Sequence, residues 1–240
     1  MSRLGFLISG KYFDEGLEHI IRSCQLPGLE TEGVFTHFAV SDEDGEDNEA
    51  YTREQFRLFA DAVEAVEKRG GVKFLIRHCA NSGAVLNYPE TALDMVRPGL
   101  LLYGYGDGGK LGLKPCMSIR TRVTTIKIYD PGTAVSYGGI FTTERKTRMG
   151  VIGIGYADGL FRSLSNRAAY YVGGGFAPQR GRICMDMCMI DLTDLPEAKV
   201  DSTVEIFGEH ASLDTLAETA GTIPYELMCS ISKRVPRVYR

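Results

Sequence analysis

No stretch of this 240-residue sequence is apolar for long enough to cross a bilayer. The longest apolar runs, such as Gly99-Leu100-Leu101-Leu102-Tyr103, fall far short of the ~20 residues that a membrane-spanning helix needs. The start, Met1-Ser2-Arg3-Leu4-Gly5-Phe6, lacks the charged and then apolar segments of a secretory signal. Positive charge is not in excess either. Lys and Arg total 27 against 31 Asp and Glu, a net charge of −4, so no basic field points to nucleic acid or to an acidic membrane. A soluble cytoplasmic protein with no nucleic-acid or membrane partner is the expectation. The 28 Gly and 9 Pro are dispersed, which excludes collagen and long disordered tracts.

Several chemical motifs are missing as well. The six cysteines form no regular disulfide framework, and Cys184 and Cys188 have no His or Cys pair nearby to complete a tetrahedral zinc set. Reduced thiols and no metal site are expected. The segment Gly150-Val151-Ile152-Gly153-Ile154-Gly155-Tyr156-Ala157-Asp158-Gly159 resembles a dinucleotide loop only superficially, because Asp158 stands where the third glycine would fall. There is no phosphate-binding Gly-Lys-Ser/Thr loop, and no Gly-x-Ser-x-Gly elbow of a hydrolase.

With 44% hydrophobic residues, the chain can bury a core. Its halves differ in pattern. Phe13, Leu17, Ile20 and Ile21 predict a helix over Phe13 to Cys24, and Gly33 to Ala39 reads as a buried strand. A second helix is predicted from about Asn48 to Arg69, stopped by Gly70-Gly71. A second strand follows at Val72 to Ile76, a helical turn from Ala84, and a third strand around Val96 to Tyr103. This alternation argues for parallel β/α units, in which His37, His78 and Asn81 lie at the ligand side of the strands. After the glycine-rich stretch 104–112, segments Ser118–Tyr129, Thr133–Ser136, Thr147–Gly155, Ala169–Val172, Arg180–Ile183, Met187–Leu192 and Thr203–Phe207 read as strands. Gly173-Gly174-Gly175 reads as a hairpin turn, Ser212 as the cap of a short helix, and Pro224 as the start of another. The expected domains are 1–110 and 111–240.

The polar residues gather in a few places. Asn81 and Ser82 open a helical turn, where they serve either as an anion site or as ordinary caps. Arg97, within an apolar run, must find an acceptor, and His78 on the preceding strand is a possible neighbour or simply a core histidine. Tyr137 beside Gly138-Gly139 is either a strand-end packing residue or a reactive one, and the sulfur-rich Arg182 to Met189 reads on its own as a methionine-filled core.

Taken in order, the chain resembles the alanine racemase family. The resemblance is carried by Met1-Ser2-Arg3-Leu4-Gly5, Thr36-His37-Phe38-Ala39, His78-Cys79-Ala80-Asn81-Ser82, Val96-Arg97-Pro98-Gly99 and Val135-Ser136-Tyr137-Gly138. It continues through Gly155-Tyr156-Ala157-Asp158-Gly159, Gly181-Arg182-Ile183-Cys184-Met185-Asp186, Pro224-Tyr225-Glu226 and Arg234-Val235-Pro236-Arg237. The resemblance implies the C-terminal part of a (β/α)8 TIM-type barrel followed by a β-strand-rich domain. It further implies pyridoxal 5'-phosphate as cofactor, alanine as substrate, D-alanine supply to peptidoglycan, and a homodimer with its active site shared across the interface.

It also implies roles. Tyr137 looks like the catalytic tyrosine. Arg97 looks like the arginine facing the pyridine nitrogen, with His78 orienting it. Ser82, Gly99 and Tyr225 look like the phosphate-binding set. Arg3 and the Met185 backbone resemble the groups that hold the substrate carboxylate; His37 is similar to the histidine linking tyrosine and arginine, and Tyr156 to a gate over the entrance. Racemisation needs two bases flanking Cα, and a tyrosine, ordinarily with a pKa of ~10, needs nearby positive charge or hydrogen bonds to act as one. An arginine cannot readily protonate the pyridine nitrogen, which weakens the electron sink and disfavours side reactions.

The family's second base, a lysine bonded to the cofactor, lies in an Ala-Val-Val-Lys-type strand that neither Lys11 nor Lys73 matches. A whole (β/α)8 barrel takes ~250 residues, so Met1 reads as a cut, and the chain alone is expected to be inactive and association-prone. The alternatives are a non-catalytic homologue that dimerises or binds the cofactor without turnover, and a serine racemase on the same scaffold.

Overall fold

Helical periodicity of apolar residues organises the first of two units. The computed structural model describes residues 6–239, the Lys110 side chain excepted, and divides into a unit ending at Leu101 and a second beginning at Leu102. In the first, α1 (Phe13–Cys24) buries Leu17 and Ile21 on one face. After β1 (Gly33–Phe35), α2 (Glu46–Gly70) opens with Glu46, Asp47 and Glu49 and closes with Lys68 and Arg69, charges that complement the helix dipole at each end. Gly71 at φ 61° terminates it in the left-handed conformation. β2 (Ile76–His78) runs parallel to β1 with Phe35 opposite His78, and α3 (Ser82–Asn87) follows. Leu17, Phe38, Phe59, Val66, Phe74 and Ala84 share one apolar core.

The expected third strand does not form. Residues 94–97 run beside β2 on two backbone bonds only, Asp94 N–H to the Arg77 carbonyl (3.1 Å) and Arg97 N–H to the Ala80 carbonyl (2.8 Å). Pro98 then has no N–H to continue a ladder, and Leu100–Tyr103 winds into a 3₁₀ turn. The second strand also starts later than expected, at Ile76, so Arg77 and His78 lie within it rather than after it.

Alternation of period two organises the second unit. Its strands are β3 (Ile119–Tyr129), β4 (Ala134–Val135), β5 (Phe141–Thr142), β6 (Thr147–Ile152), β7 (Ala169–Val172), β8 (Gly175–Arg180), β9 (Cys188–Asp191) and β10 (Thr203–Phe207). Six of them close into an antiparallel barrel in the order β10-β3-β6-β9-β8-β7, which leaves no open sheet edge. Val123, Ile152, Tyr170, Ile190 and Val204 fill its interior. Gly173 and Gly174, both at positive φ, make the two-residue turn between β7 and β8.

The strand expected at Arg180–Ile183 is earlier than that: β8 ends at Arg180, and 181–183 are loop. Gly175 and Pro178 disguise β8, because both residues argue against a strand interior. The hairpin β4–β5 stands apart from the barrel and is tied at its base by Thr143, whose hydroxyl donates to the Asp130 carbonyl (2.6 Å) and accepts from Thr133 N–H (2.9 Å). The unit ends with α4 (Leu213–Ala220), capped by the Ser212 hydroxyl accepting from Thr215 N–H at 3.2 Å, and α5 (Pro224–Ser230), with Pro224 in its first turn. Among the described residues no helix is long and apolar enough to cross a membrane.

Ile190 is fully buried, so Ile190→Ala should lower unfolding free energy by about 2–5 kcal/mol in urea titrations. Ile128→Ala, at a 64% exposed position on β3, should change it by no more than about 0.5 kcal/mol.

Candidate functional site

In the first unit the polar residues converge on Arg97. Its Nη1 donates to His78 Nδ1 at 2.6 Å, and its Nη2 donates to the Thr36 carbonyl at 3.0 Å and lies 3.3 Å from His37 Nδ1 and 3.4 Å from the Cys79 carbonyl. The guanidinium also lies over the Phe35 ring, 5.3 Å from its centroid, and Phe35 stacks on His78 at 5.2 Å. Parallel pairing of β1 and β2 makes this possible, since it sets Phe35 beside His78 and leaves Thr36 and His37 at the end of β1.

The His78 ring and the Thr36 and Cys79 carbonyls are uncharged acceptors, so they hold the arginine's charge in place without neutralising it. Arginine has no lone pair to offer, so the 2.6 Å contact requires an unprotonated His78 Nδ1 and places that ring's proton on Nε2. Burial first, and the Arg97 charge second, hold the His78 pKa below its ordinary value. Burial likewise pushes the neighbouring Cys79 thiol up to about 11, so it stays neutral.

Ser82 and Gly99 meet beside this cluster: Gly99 N–H donates to Ser82 Oγ at 2.9 Å. Asn81, not Ser82, caps α3, its Oδ1 accepting from Ala84 N–H (3.0 Å) and from the Ser41 hydroxyl (2.7 Å). Ser82 is thereby left to the Gly99 side. A separate cleft of about 220 Å³, walled by Phe56, Phe59 and Val63 of α2 with Glu64, Glu67 and Arg77, contains none of the site residues.

In the second unit, Tyr137 occupies the tip of the β4–β5 hairpin with 70% of its surface exposed. Met185 lies in the loop before β9. The Tyr156 N–H donates to the Cys184 carbonyl and the Ala157 N–H to the Met185 carbonyl, each at 3.0 Å, which docks this loop on the turn that presents Tyr156. Gly155 is required there, since a Cβ would sit 2.3 Å from both carbonyl oxygens. Asp158 accepts from Gly155 N–H at 2.8 Å, and Arg234 bridges Asp158 (2.8 Å) to Asp186 (2.7 Å). Tyr225, partly exposed on α5, is linked to the same turn through Ser230, whose hydroxyl donates to the Gly159 carbonyl at 3.0 Å. Arg3 lies outside the described residues.

Sequence reasoning did not anticipate the carbonyls of Thr36 and Cys79 or the Asp158–Arg234–Asp186 bridge. The three charged residues all fall within the quoted motifs, but pairing across 48 and 76 positions leaves no local signal.

Comparison with known proteins places the chain in one family. The family model "Alanine racemase, N-terminal domain" matches residues 1–107, and "Alanine racemase, C-terminal domain" matches residues 116–239. The chain is 42% identical over 245 residues to an alanine racemase of Desulforamulus reducens, covering all of this chain and 64% of that protein. It is 43% identical over 248 residues to alanine racemase 1 of Clostridium acetobutylicum, covering all of this chain and 62% of that one. Among solved structures, the biosynthetic alanine racemase of Pseudomonas aeruginosa superimposes with a TM-score of 0.82 at 34% identity, over all of this chain and 64% of that chain. The Streptomyces coelicolor alanine racemase gives 0.85 at 32% identity, over 96% and 61%. The fold is therefore that of a barrel domain joined to a β domain, and the chain belongs to the alanine racemase family. It spans just under two thirds of the length of these relatives.

The depressed His78 pKa has a measurable consequence. The folded state binds this proton less readily than the unfolded state, whose histidine titrates near 6.5. Its contribution to stability is therefore full above that value and is lost as pH falls below it. Urea midpoints should drop as pH falls below about 6.5, and His78→Gln should flatten that part of the profile.

Proposed function

We propose that this chain carries active-site residues of a pyridoxal 5'-phosphate-dependent racemase that interconverts L- and D-alanine, supplying D-alanine for peptidoglycan. The observation that carries this reading is the Arg97 cluster, in which, among the described residues, a guanidinium is held by the His78 ring and backbone carbonyls with no carboxylate bonded to it, in a chain 42% identical to an alanine racemase. The residues present fit the cofactor. The hydrogen bonds of Arg97 use Nη1 and Nη2, so among the described residues its Nε–H remains for a weakly basic acceptor such as a pyridine nitrogen. Ser82 Oγ accepts from the Gly99 N–H, which leaves the hydroxyl proton of Ser82 for a phosphate oxygen.

Arg97 would face the pyridine nitrogen, with His78 orienting it, and Ser82, Gly99 and Tyr225 would hold the phosphate. The cofactor, when bound, supplies an electron sink that acidifies the amino acid's Cα–H bond. Arg97 keeps its own protons, because an arginine stays charged even where burial lowers its pKa, and this limits how strongly electrons are drawn from Cα. Tyr137 would remove or return the proton at one face of Cα. His37 would connect that tyrosine with Arg97. Arg3 and the Met185 backbone would bind the substrate carboxylate, and Tyr156 would gate access. The second face requires the cofactor-bonding lysine of the family, for which neither Lys11 nor Lys73 is a match.

The unit ending at Leu101 would form part of a (β/α)8 barrel, and the active protein would be a homodimer with Tyr137 acting in the partner's site. The six free cysteines support a reducing, cytoplasmic setting. The test is racemisation of alanine in deuterated water by the full-length protein loaded with pyridoxal phosphate. Tyr137→Phe should cut deuterium entry at one Cα face by about 10²–10⁴-fold while exchange at the other face persists. Equal entry into both enantiomers in that variant would remove Tyr137 from the chemistry.

A further inference from the structure

Tyr137 is preceded by a residue in an unusual backbone state. Ser136 has φ 64° and ψ −175°, a combination that glycine occupies almost alone because a Cβ there crowds its own backbone. It is one of four non-glycine residues with positive φ among those described, with Leu93, Asn166 and Asp201. Only Ser136 adjoins a candidate site residue. Such strain persists only where surrounding contacts over-determine it.

Those contacts are present. The Ser136 hydroxyl donates to the Arg182 carbonyl at 2.7 Å and lies 3.6 Å from Cys184 Sγ. Across from it, Gly181 approaches so closely that a Cβ there would lie 2.7 Å from Ser136 Cβ and 2.8 Å from the Val135 carbonyl oxygen. Gly139 N–H donates to the Ser136 carbonyl at 3.2 Å and closes the hairpin tip around Tyr137. The two groups that Ser136 touches, Arg182 and Cys184, belong to the loop that continues into Met185, which is itself docked on the Tyr156 turn.

We propose that Ser136 is the positioning residue for Tyr137: its hydroxyl clamps the hairpin tip to the 182–185 loop, so that the tyrosine and the Met185 backbone are held in register by one side chain. The strained backbone at residue 136 sets the direction in which the Tyr137 ring leaves the hairpin, and the Ser136–Arg182 bond keeps that state from relaxing. This rests on the proposed role of Tyr137 in racemisation. The geometry of the clamp itself does not.

The test compares Ser136→Ala with Ser136→Gly in the full-length protein, labelled with 3-fluorotyrosine, the Tyr137 resonance being assigned by its loss in Tyr137→Phe. Alanine removes the hydroxyl and keeps the strain; glycine removes both. The alanine variant should therefore melt below the parent and also below the glycine variant, the reverse of the usual loop order, in which glycine is the less stable. The Tyr137 fluorine resonance should broaden or split in both variants. With cofactor bound, kcat for alanine should fall about ten- to hundredfold in both, with KM changed less than about twofold, as expected for a misplaced catalytic group.

Three results would overturn the proposal: alanine melting at or above glycine, a Tyr137 resonance unchanged in the alanine variant, or a kcat within about twofold of the parent's when that resonance has changed. If the unmodified protein racemises no alanine, the functional reading fails. The melting order and the fluorine spectrum then still decide the role of Ser136.

Discussion

A guanidinium that is partly withdrawn from water has to be satisfied, and in this protein the satisfaction of Arg97 organises the first unit's site. Its donors reach the Thr36 carbonyl at the end of β1, the His78 ring on β2 and the Cys79 carbonyl just beyond it. Two separate stretches of chain, at Thr36 and at His78-Cys79, are thereby held to one side chain. Because none of these partners carries a charge, the cation is positioned but not quenched, and His78 is obliged to stay neutral with its Nδ1 lone pair toward the arginine. A carboxylate in place of either histidine would neutralise the cation and allow its partner a proton. The choice of imidazole and carbonyl acceptors is what makes a charged but non-acidic hydrogen-bond donor.

The second unit solves a different problem, which is to hold exposed loops still. Tyr137, Tyr156 and Met185 are all substantially exposed, so packing does not fix them. A closed barrel provides the rigid base, and the loops above it brace one another: Gly155 lets two carbonyls approach within the space of a missing Cβ, and Arg234 ties Asp158 to Asp186. The Arg234–Asp186 pair, exposed on both sides, contributes little to stability. Its value here is geometric, since sites on loops are accurate only when neighbouring groups lock them.

Local physics was legible in the sequence where it acts locally. The faces of α1 and α2, the Gly173-Gly174 turn, β7, β10 and the Ser212 cap all follow from spacing and turn chemistry within about a dozen residues. The extent of other elements was not legible. Pro98 cuts off the third strand, and Gly175 with Pro178 hides β8, because hairpin pairing with β7 there outweighs the poor strand preference of those two residues. The same limit applies to the site. His78 and Arg97 carry recognisable chemistry in recognisable motifs, so their neighbourhood was open to inference. The carbonyls of Thr36 and Cys79 carry none, and the Ser136 clamp depends on a backbone angle that no side-chain pattern encodes.

The neutrality of the His78 acceptor that holds Arg97 can be read from a ¹⁵N–¹H spectrum of the histidine rings at neutral pH, with His78 assigned by His78→Gln. His78 should be neutral, with its proton on Nε2 and Nδ1 unprotonated, and in an Arg97→Ala variant the His78 pKa should rise toward its ordinary value. A His78 ring protonated at Nδ1, or one whose titration is indifferent to Arg97, would contradict this arrangement.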